Sequence, residues 1–411
     1  MVVNKWKKSS LKLLCKKIGD GLHGTPTYDD KSDIYFINGN NLKNGEIVKS
    51  VDTKKVSQSD FNSNYIKLNQ NSLLLSINGT IGEMAFYNNE KIILGKSAAY
   101  LNFHTGINHF YYYFFQLKVV KKHFYRIATG STIKNLGLEY IQDFEVPDPN
   151  ENDWKHIVKV LSDLDKKIEN NNKINEQLEA IAKLIYDYWF VQFDFPNSNG
   201  KPYKSSGGKM VYSEELKRNI PKGWDVGSLL DIAEFTNGIP CQKYPSKDNE
   251  QFYQVIKIRE MESGLTNESE RVSQGIPDNV VVNNGDVLFS WSATLDLKIW
   301  AGGTGGLNQH IFKVTSKKYP RTYYYFEVLR HLQHFKMIAE SRKTTMGHIT
   351  KDHLEQSLIT IPPEILIINL HNKLNPIINK AIIAKEENLH LASLRDWLLP
   401  MLMNGQVDFK D

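Results

Sequence analysis

The chain carries one succession of sequence landmarks twice. Trp6, Leu73-Leu74-Leu75-Ser76, Tyr111-Tyr112-Tyr113-Phe114 and Val146-Pro147 lead into a long amphipathic stretch. Trp224, Asp286-Val287-Leu288-Phe289-Ser290, Tyr323-Tyr324-Tyr325-Phe326 and Ile361-Pro362 lead into another. The offset is roughly 215 residues, about half the chain, so this is a duplicated domain and not a short-period solenoid. Each copy has to bury its own core and then hand over to its own helix. Two similar modules on one chain suggest a ligand with two similar parts.

The 411 residues can form two to four domains. No apolar run is long enough to span a bilayer. The start, Met1 to Lys8, lacks the apolar stretch of a signal peptide. The two cysteines, Cys15 and Cys241, do not match between the copies. A disulfide framework or cysteine-rich zinc site is therefore not expected, and the reducing cytoplasm is the expected compartment.

Net charge is +5, and its distribution says more than its size. Lys91 to Leu138 holds seven basic residues and no acidic one; Leu297 to Lys351 holds ten basic residues against Glu327 and Glu340. A single such run is ordinarily a solvated face. The same excess in the same part of both copies, interleaved with Tyr, Phe and His, favours a polyanion such as nucleic acid.

Residues 1–149 read as a first mixed module. Ile34–Ile37, Leu73–Leu75, Ile92–Leu94 and Tyr100–Phe103 have strand character between turn signals, and the tract His109–Tyr125 reads as helix. Asp148-Pro149-Asn150-Glu151 opens a spacer helix over 150–190. Its seam is Ile157, Leu161, Leu164, Ile168, Asn171, Asn175, Leu178, Ala182, Ile185 and Trp189, in steps of four and three. Its two asparagines can fix register and partner. Residues 191–223 read as a linker and 224–362 as the second module, with strands at Val280–Val282, Val287–Phe289 and Ile311–Val314. A second spacer helix over 363–404 has the seam Leu370, Leu374, Ile377, Ala381, Ala384, Asn388, Leu391, Arg395 and Leu398, and Pro376 inside it is expected to kink or break it. Asn404-Gly405 is a stop before a tail over 405–411. The helices are expected to pair antiparallel with pseudo-twofold symmetry. The fold class is α+β, two similar mixed modules separated by a coiled coil.

Catalytic patterns are absent from the sequence: no Gly-x-x-x-x-Gly-Lys-Ser/Thr, no Asn-Pro-Pro-Tyr/Phe and no His-Glu-x-x-His. Pro277-Asp278 followed by Asp296-Leu297-Lys298 mimics a nuclease pattern in which carboxylates hold metal ions and a lysine helps activate water. It is short, common by chance and has no counterpart in the first copy. A nuclease built on Asp278, Asp296 and Lys298 and a coiled-coil protein-binding scaffold are the rival readings.

Four patterns in this order resemble the specificity subunits of type I restriction–modification systems. They are Ile220-Pro221-Lys222-Gly223-Trp224, Asn71 to Gly82, Ile174 to Ala182, and Leu394-Arg395-Asp396-Trp397 through Gly405. The likeness covers nearly the whole chain. It implies a non-catalytic subunit that binds no cofactor, whose modules each read one half of a split double-stranded DNA target. The helices would set the gap and hold two modification subunits. S-adenosylmethionine would sit on those subunits, and ATP and magnesium on a restriction subunit where one is present. Ser290-Trp291-Ser292-Ala293-Thr294 replaces Ser76-Ile77-Asn78-Gly79-Thr80, which fits two different half-sites. On this reading the phosphate contacts are Lys96, Lys121, Lys122, Arg126 and Lys134, then Lys313, Lys317, Arg321, Arg342 and Lys343. Base readers are Ser76, Asn78, Thr80, Ser97, Thr129 and Ser131, then Ser290, Ser292, Thr294, Asn308, Gln309 and His310. Each residue taken singly is ordinarily a turn or surface group; the sets carry the expectation.

Overall fold

A computed structural model describes residues 5–247, 250–341 and 348–407. The chain forms two compact units, 1–166 with 392–411, and 167–391. In the first, β1 (Cys15–Asp20), β2 (Ser72–Ser76), β3 (Met84–Phe86) and β4 (Ala98–Phe103) form an antiparallel sheet in the order β1-β4-β2-β3. In the second, β5 (Glu234–Asn237), β6 (Val287–Ser290), β7 (Asp296–Ile299) and β8 (Ile311–Thr315) repeat it as β5-β8-β6-β7.

The apolar runs at the centre of each sheet explain its burial on both faces. Successive strand side chains point to opposite faces. Leu73 and Leu75 therefore enter the core shared with the helices, and Leu74 enters a second core with Ile37, Leu42 and Tyr100. Val287 and Phe289 divide from Leu288 in the same way. A parallel pair lies beyond each sheet, Tyr35–Ile37 with Ile92–Leu94 and Phe252–Ile256 with Gly305–Leu307.

The helical tract and the repeat register differ from expectation. The tract His109–Tyr125 is two helices, α1 (Asn108–Gln116) and α2 (Lys118–Ile127), because Leu117 leaves the helical region at φ −53, ψ 128. The break lets Leu117, Val120 and Phe124 enter the core that already holds Phe110 and Phe114. The repeat register also moves. Lys8 pairs with Pro147 and Val226 with Thr360, so Pro147 corresponds to Thr360 and not to Pro362.

The first long helix, α3 (Glu151–Tyr186), starts on an Asn150 side chain that accepts from Asp153 N at 2.9 Å, and it ends in a π turn over Asp187–Val191. In the second unit α4 (Arg321–Ser341) is followed by α5 (Glu364–Met403). At 1.5 Å per residue, α3 and α5 are about 54 and 60 Å long. Pro376 does not end α5; it and Asn372, whose carbonyl it leaves without a helical donor, are both exposed. Gly405, at φ +66, closes α5 with its N–H on Leu402 O.

The seams pair antiparallel within each unit. In the first, Ile157 and Leu161 share a core with Leu399, Leu402 and Met403, and Arg395 Nη1 donates to Asp165 Oδ1 at 2.9 Å. In the second, Ala182 and Trp189 share a core with Leu370 and Leu374. Asn171, 2% exposed, donates to Glu387 Oε2 at 2.7 Å and Asn388 Oδ1 at 2.9 Å. The bond from Asn171 holds the Glu387 carboxyl below its ordinary value, and the Lys167 ammonium adds to the effect.

The stretch read as a linker carries core residues. Phe193 and Phe195 are buried against Trp224, and Met210–Ser213 pairs with Arg218–Pro221 as a hairpin. Its polar composition hides the aromatic anchors. Among the described residues, no helix is long and apolar enough to cross a membrane.

Candidate nucleic-acid interface

The strand β2 ends at Ser76, fully buried, whose Oγ lies 2.9 Å from Thr80 Oγ1 and donates to Asn78 O at 3.4 Å. Ser76 thus holds the loop closed from inside, which corrects its expected place among the base readers. Ile77 N donates to Ser97 O at 3.0 Å, and Leu136 N donates to Ile77 O at 2.9 Å. Thr129 and Asn135 exchange backbone bonds of 2.9 and 2.7 Å across a small hairpin. Its Gly130 sits at φ +104, and a Cβ there would meet Ile133 O at 2.3 Å, so only glycine makes the turn. Three segments far apart in sequence are stitched together in this way, and Asn78, Thr80, Ser97 and Thr129 share one surface.

The turn residue Lys96 is exposed, and Ser131 is exposed at the hairpin tip. Ser97 is engaged: its Oγ donates to Asn38 Oδ1 at 3.0 Å and accepts from Gly39 N at 2.9 Å. Lys134 Nζ donates to Ala128 O at 3.5 Å and lies 5.9 Å from the Tyr125 ring. On α2, Lys122 and Arg126 are exposed, whereas Lys121 pairs with Glu83 at 3.5 Å and ties the helix to the loop.

The second unit rebuilds this arrangement with other side chains. Ser290, fully buried, donates to Thr294 O at 2.6 Å and accepts from Asp296 N at 2.8 Å, so it too holds its loop from inside, against its expected exposed place. Trp291 N donates to His310 O at 3.3 Å, and Ile349 N donates to Trp291 O at 2.9 Å. Trp291, His310 and Ile349 therefore stand where the first unit has Ile77, Ser97 and Leu136. Ser292 Oγ lies 3.2 Å from His310 Nδ1, and Gln309 Nε2 lies 3.3 Å from His310 Nε2. Thr294 is exposed; Asn308 is buried at 8% exposure.

The basic residues of this unit divide sharply. Lys317 is 93% exposed, with Glu234 at 4.0 Å. Lys313 is 13% exposed, donates to Val281 O at 2.8 Å and pairs with Asp286 at 2.9 Å. Arg321 donates to Gly285 O at 2.9 Å, Asn375 Oδ1 at 3.1 Å and Asn379 Oδ1 at 2.8 Å; burial pushes its guanidinium below the ordinary value. Both are spoken for by the fold, which corrects their expected phosphate role. Arg342 and Lys343 lie outside the described residues.

Sequence reasoning missed Asn135 and His348. They lie far downstream of the loops they join: Asn135 bridges to Asn78 and His348 to Ser292. Laying the two copies over each other at the corrected register is the signal that finds them. The nuclease-like residues have local partners. Asp296 pairs with Lys298 at 3.2 Å, Lys298 also donates to Met261 O at 3.2 Å, and Asp278 starts a short 3-10 turn over Asp278–Val280. No group of three metal-ligating side chains occurs among the described residues.

The fold and its stitched loops define a duplicated protein that presents one surface design twice, with different polar side chains. The family described as "Type I restriction modification DNA specificity domain" matches residues 4–180 and 221–365, and the chain belongs to it. It is 25% identical over 309 residues to the MjaIX type I restriction enzyme specificity subunit of Methanocaldococcus jannaschii, covering 73% of this chain and 69% of that one. It is 23% identical over 340 residues to the HindI specificity subunit of Haemophilus influenzae, covering 68% and 72%. In fold it is similar to the S subunit of a type I restriction–modification system from M. genitalium, with TM-score 0.59 and 14% identity over 99% of this chain and 97% of that one.

Proposed function

We propose that the chain is the DNA-reading, non-catalytic subunit of a type I restriction–modification complex. Each unit reads one half of a bipartite duplex target. The observation that carries this is the loop and its backbone stitches to two distant segments, built twice on one plan with different side chains. A protein reading one sequence twice would keep the side chains. A protein reading two half-sites keeps the plan and changes them.

Phosphate contacts by Lys96, Lys122, Arg126 and Lys317 supply salt-sensitive affinity without sequence information. Polar loop side chains reach base edges in the major groove, where each base pair shows its own donor and acceptor pattern. The long helices carry the chain from one unit to the other, so their length sets the gap between half-sites. Leu184 on α3 and Tyr188 in the π turn that ends it, 65% and 38% exposed, and Leu394 and Trp397 on α5, 43% and 62% exposed, are apolar anchors for two modification subunits. Those subunits carry S-adenosylmethionine; a restriction subunit, where one assembles, carries ATP and magnesium.

The test is to assemble the chain with its modification subunits and map the methylated adenines. One split sequence with a fixed gap is expected. Methylation without a defined sequence, or failure to assemble, would leave the scaffold reading standing.

A further inference from the structure

Both units spend their backbone groups on one another at the stitched surface. The peptide groups of Ile77 bond to Ser97 and Leu136, and those of Trp291 to His310 and Ile349. Backbone that is already paired has little left to offer a base, so discrimination has to come from side chains. The supporting groups are held constant: Ser76 and Ser290, both fully buried, close their loops in equivalent places. The side chains around them are not constant. Asn78 stands opposite Ser292, Ser97 opposite His310, and Asn135 opposite His348.

Two polar atoms sharpen the picture. Buried polar atoms in folded proteins nearly always have partners. Asn78 Oδ1 and Trp291 Nε1 are buried and have none among the described residues. They sit one position apart in the two loops once the copies are overlaid. Trp291 overlays Ile77, the neighbour of Asn78, so each unit leaves one polar side-chain atom of this loop unsatisfied, an amide oxygen in the first and an indole N–H in the second.

We infer that Asn78 and Asn135 set the bases read by the first unit, and that Trp291, Ser292, His310 and His348 set those read by the second. This rests on the DNA-reading role proposed above. It goes further by assigning the reading to these positions and by naming the base edges. An amide offers an acceptor beside a donor, the match for adenine N6 and N7, or as an acceptor alone for cytosine N4. The indole N–H is only a donor. It requires an acceptor edge, guanine O6 or N7, adenine N7 or thymine O4. The first half-site therefore contains an amine-bearing base opposite Asn78, and the second an acceptor edge opposite Trp291.

The experiment uses the full chain assembled with its modification subunits and a panel of duplexes in which each target base pair is substituted singly. Asn78→Ala and Asn135→Ala are compared with Trp291→Phe and His348→Ala, and thermal unfolding of each variant is recorded alongside. The first pair should relax discrimination in one half of the target, the second pair in the other. Each loss should be roughly 5- to 150-fold at one base pair, the range of a good base contact. The opposite half and the gap should not change. If Asn78→Ala unfolds early, Asn135→Ala carries the same test. Unaltered preference in folded variants overturns the inference, and so does an equal loss on every duplex. Wild-type complex that methylates without any preferred sequence instead overturns the DNA-reading role itself.

Discussion

Tyr111 of the first unit and Tyr323 of the second do the same work: each hydroxyl donates at 2.9 Å to a strand carbonyl, of Pro147 and Thr360. One helical turn later the units part. Phe115 is fully buried and packs against Tyr111, Phe114 and Phe124. Its counterpart Glu327, equally buried, accepts from the Tyr186 hydroxyl at 2.5 Å and from Arg330 Nη1 at 2.8 and 2.9 Å. Burial pushes the Glu327 carboxyl up, and the Arg330 charge and the two donors pull it back. One core is closed by aromatic packing and the other by a buried ionic knot on α3 and α4. A hydrophobic contact tolerates sliding, whereas a buried charge pair works only in one geometry. The difference teaches that duplication preserved the frame while the means of fixing helix to module diverged.

The largest expected effect comes from cutting that knot. Glu327→Ala leaves Arg330 and the Tyr186 hydroxyl buried without their acceptor, and should destabilise the second unit by about 3–5 kcal/mol in urea unfolding. A loss below about 1 kcal/mol would erase the contrast with Phe115.

Acid should also separate the units. His331 packs on Phe335, and burial, helped by the Arg330 charge, pushes its imidazole down to about 4 from 6.5. The native ring then stays neutral where the unfolded one takes a proton. The unfolded state binds more protons between pH 6.5 and 4, so stability present above that window is lost as the pH falls through it. The loss reaches roughly 3 kcal/mol at about 1.36 kcal/mol per pH unit. His331→Leu should flatten the pH dependence of unfolding across the window. His109 of the first unit is shifted the same way by burial, so a small residual slope is expected.

The two exposed apolar pairs give a third comparison. Trp397→Ala removes the larger anchor and should weaken assembly with modification subunits by roughly 30-fold, the scale of an interface hot spot. Leu184→Ala, on the other helix, should cost less. Sedimentation of the mixed subunits reads both. Equal, negligible effects would remove the helix faces as docking sites.

Much of this was legible beforehand. The duplication, the central apolar strands and the heptad seams follow from periodicity, because burial on a sheet or helix imposes a period on the chain. The loop positions were legible as turns. What escaped was anything decided by a distant partner. Lys313 and Arg321 look like free cations until Asp286, Gly285 and Asn379 close on them. Ser76 and Ser290 look like loop hydroxyls until the strand ends bury them. Asn135 and His348 carry no local pattern at all; backbone bridges bring them to the surface. Pro376 misled in the other direction, since an exposed proline on a helix packed along its opposite side ends nothing.

The smallest expected effect tests the basic residues one charge at a time. Each lysine or arginine that neutralises a phosphate contributes about 0.9 to the slope of log affinity against log salt. Lys122 and Arg126 are exposed, while Lys121 already has Glu83 at 3.5 Å. Replacing Lys122 and Arg126 together by alanine should flatten the slope by about 2 for every duplex, specific or not. Adding Lys121→Ala should change it by less than one further step. In the second unit, Lys317→Ala should remove about one step, and Lys313→Ala should leave the slope alone and lower the unfolding temperature, because its charge is consumed by Asp286. A full step lost at Lys313 would mean that DNA binding opens the Asp286 pair, and the distinction between free and fold-bound cations would fail in the second unit while holding in the first.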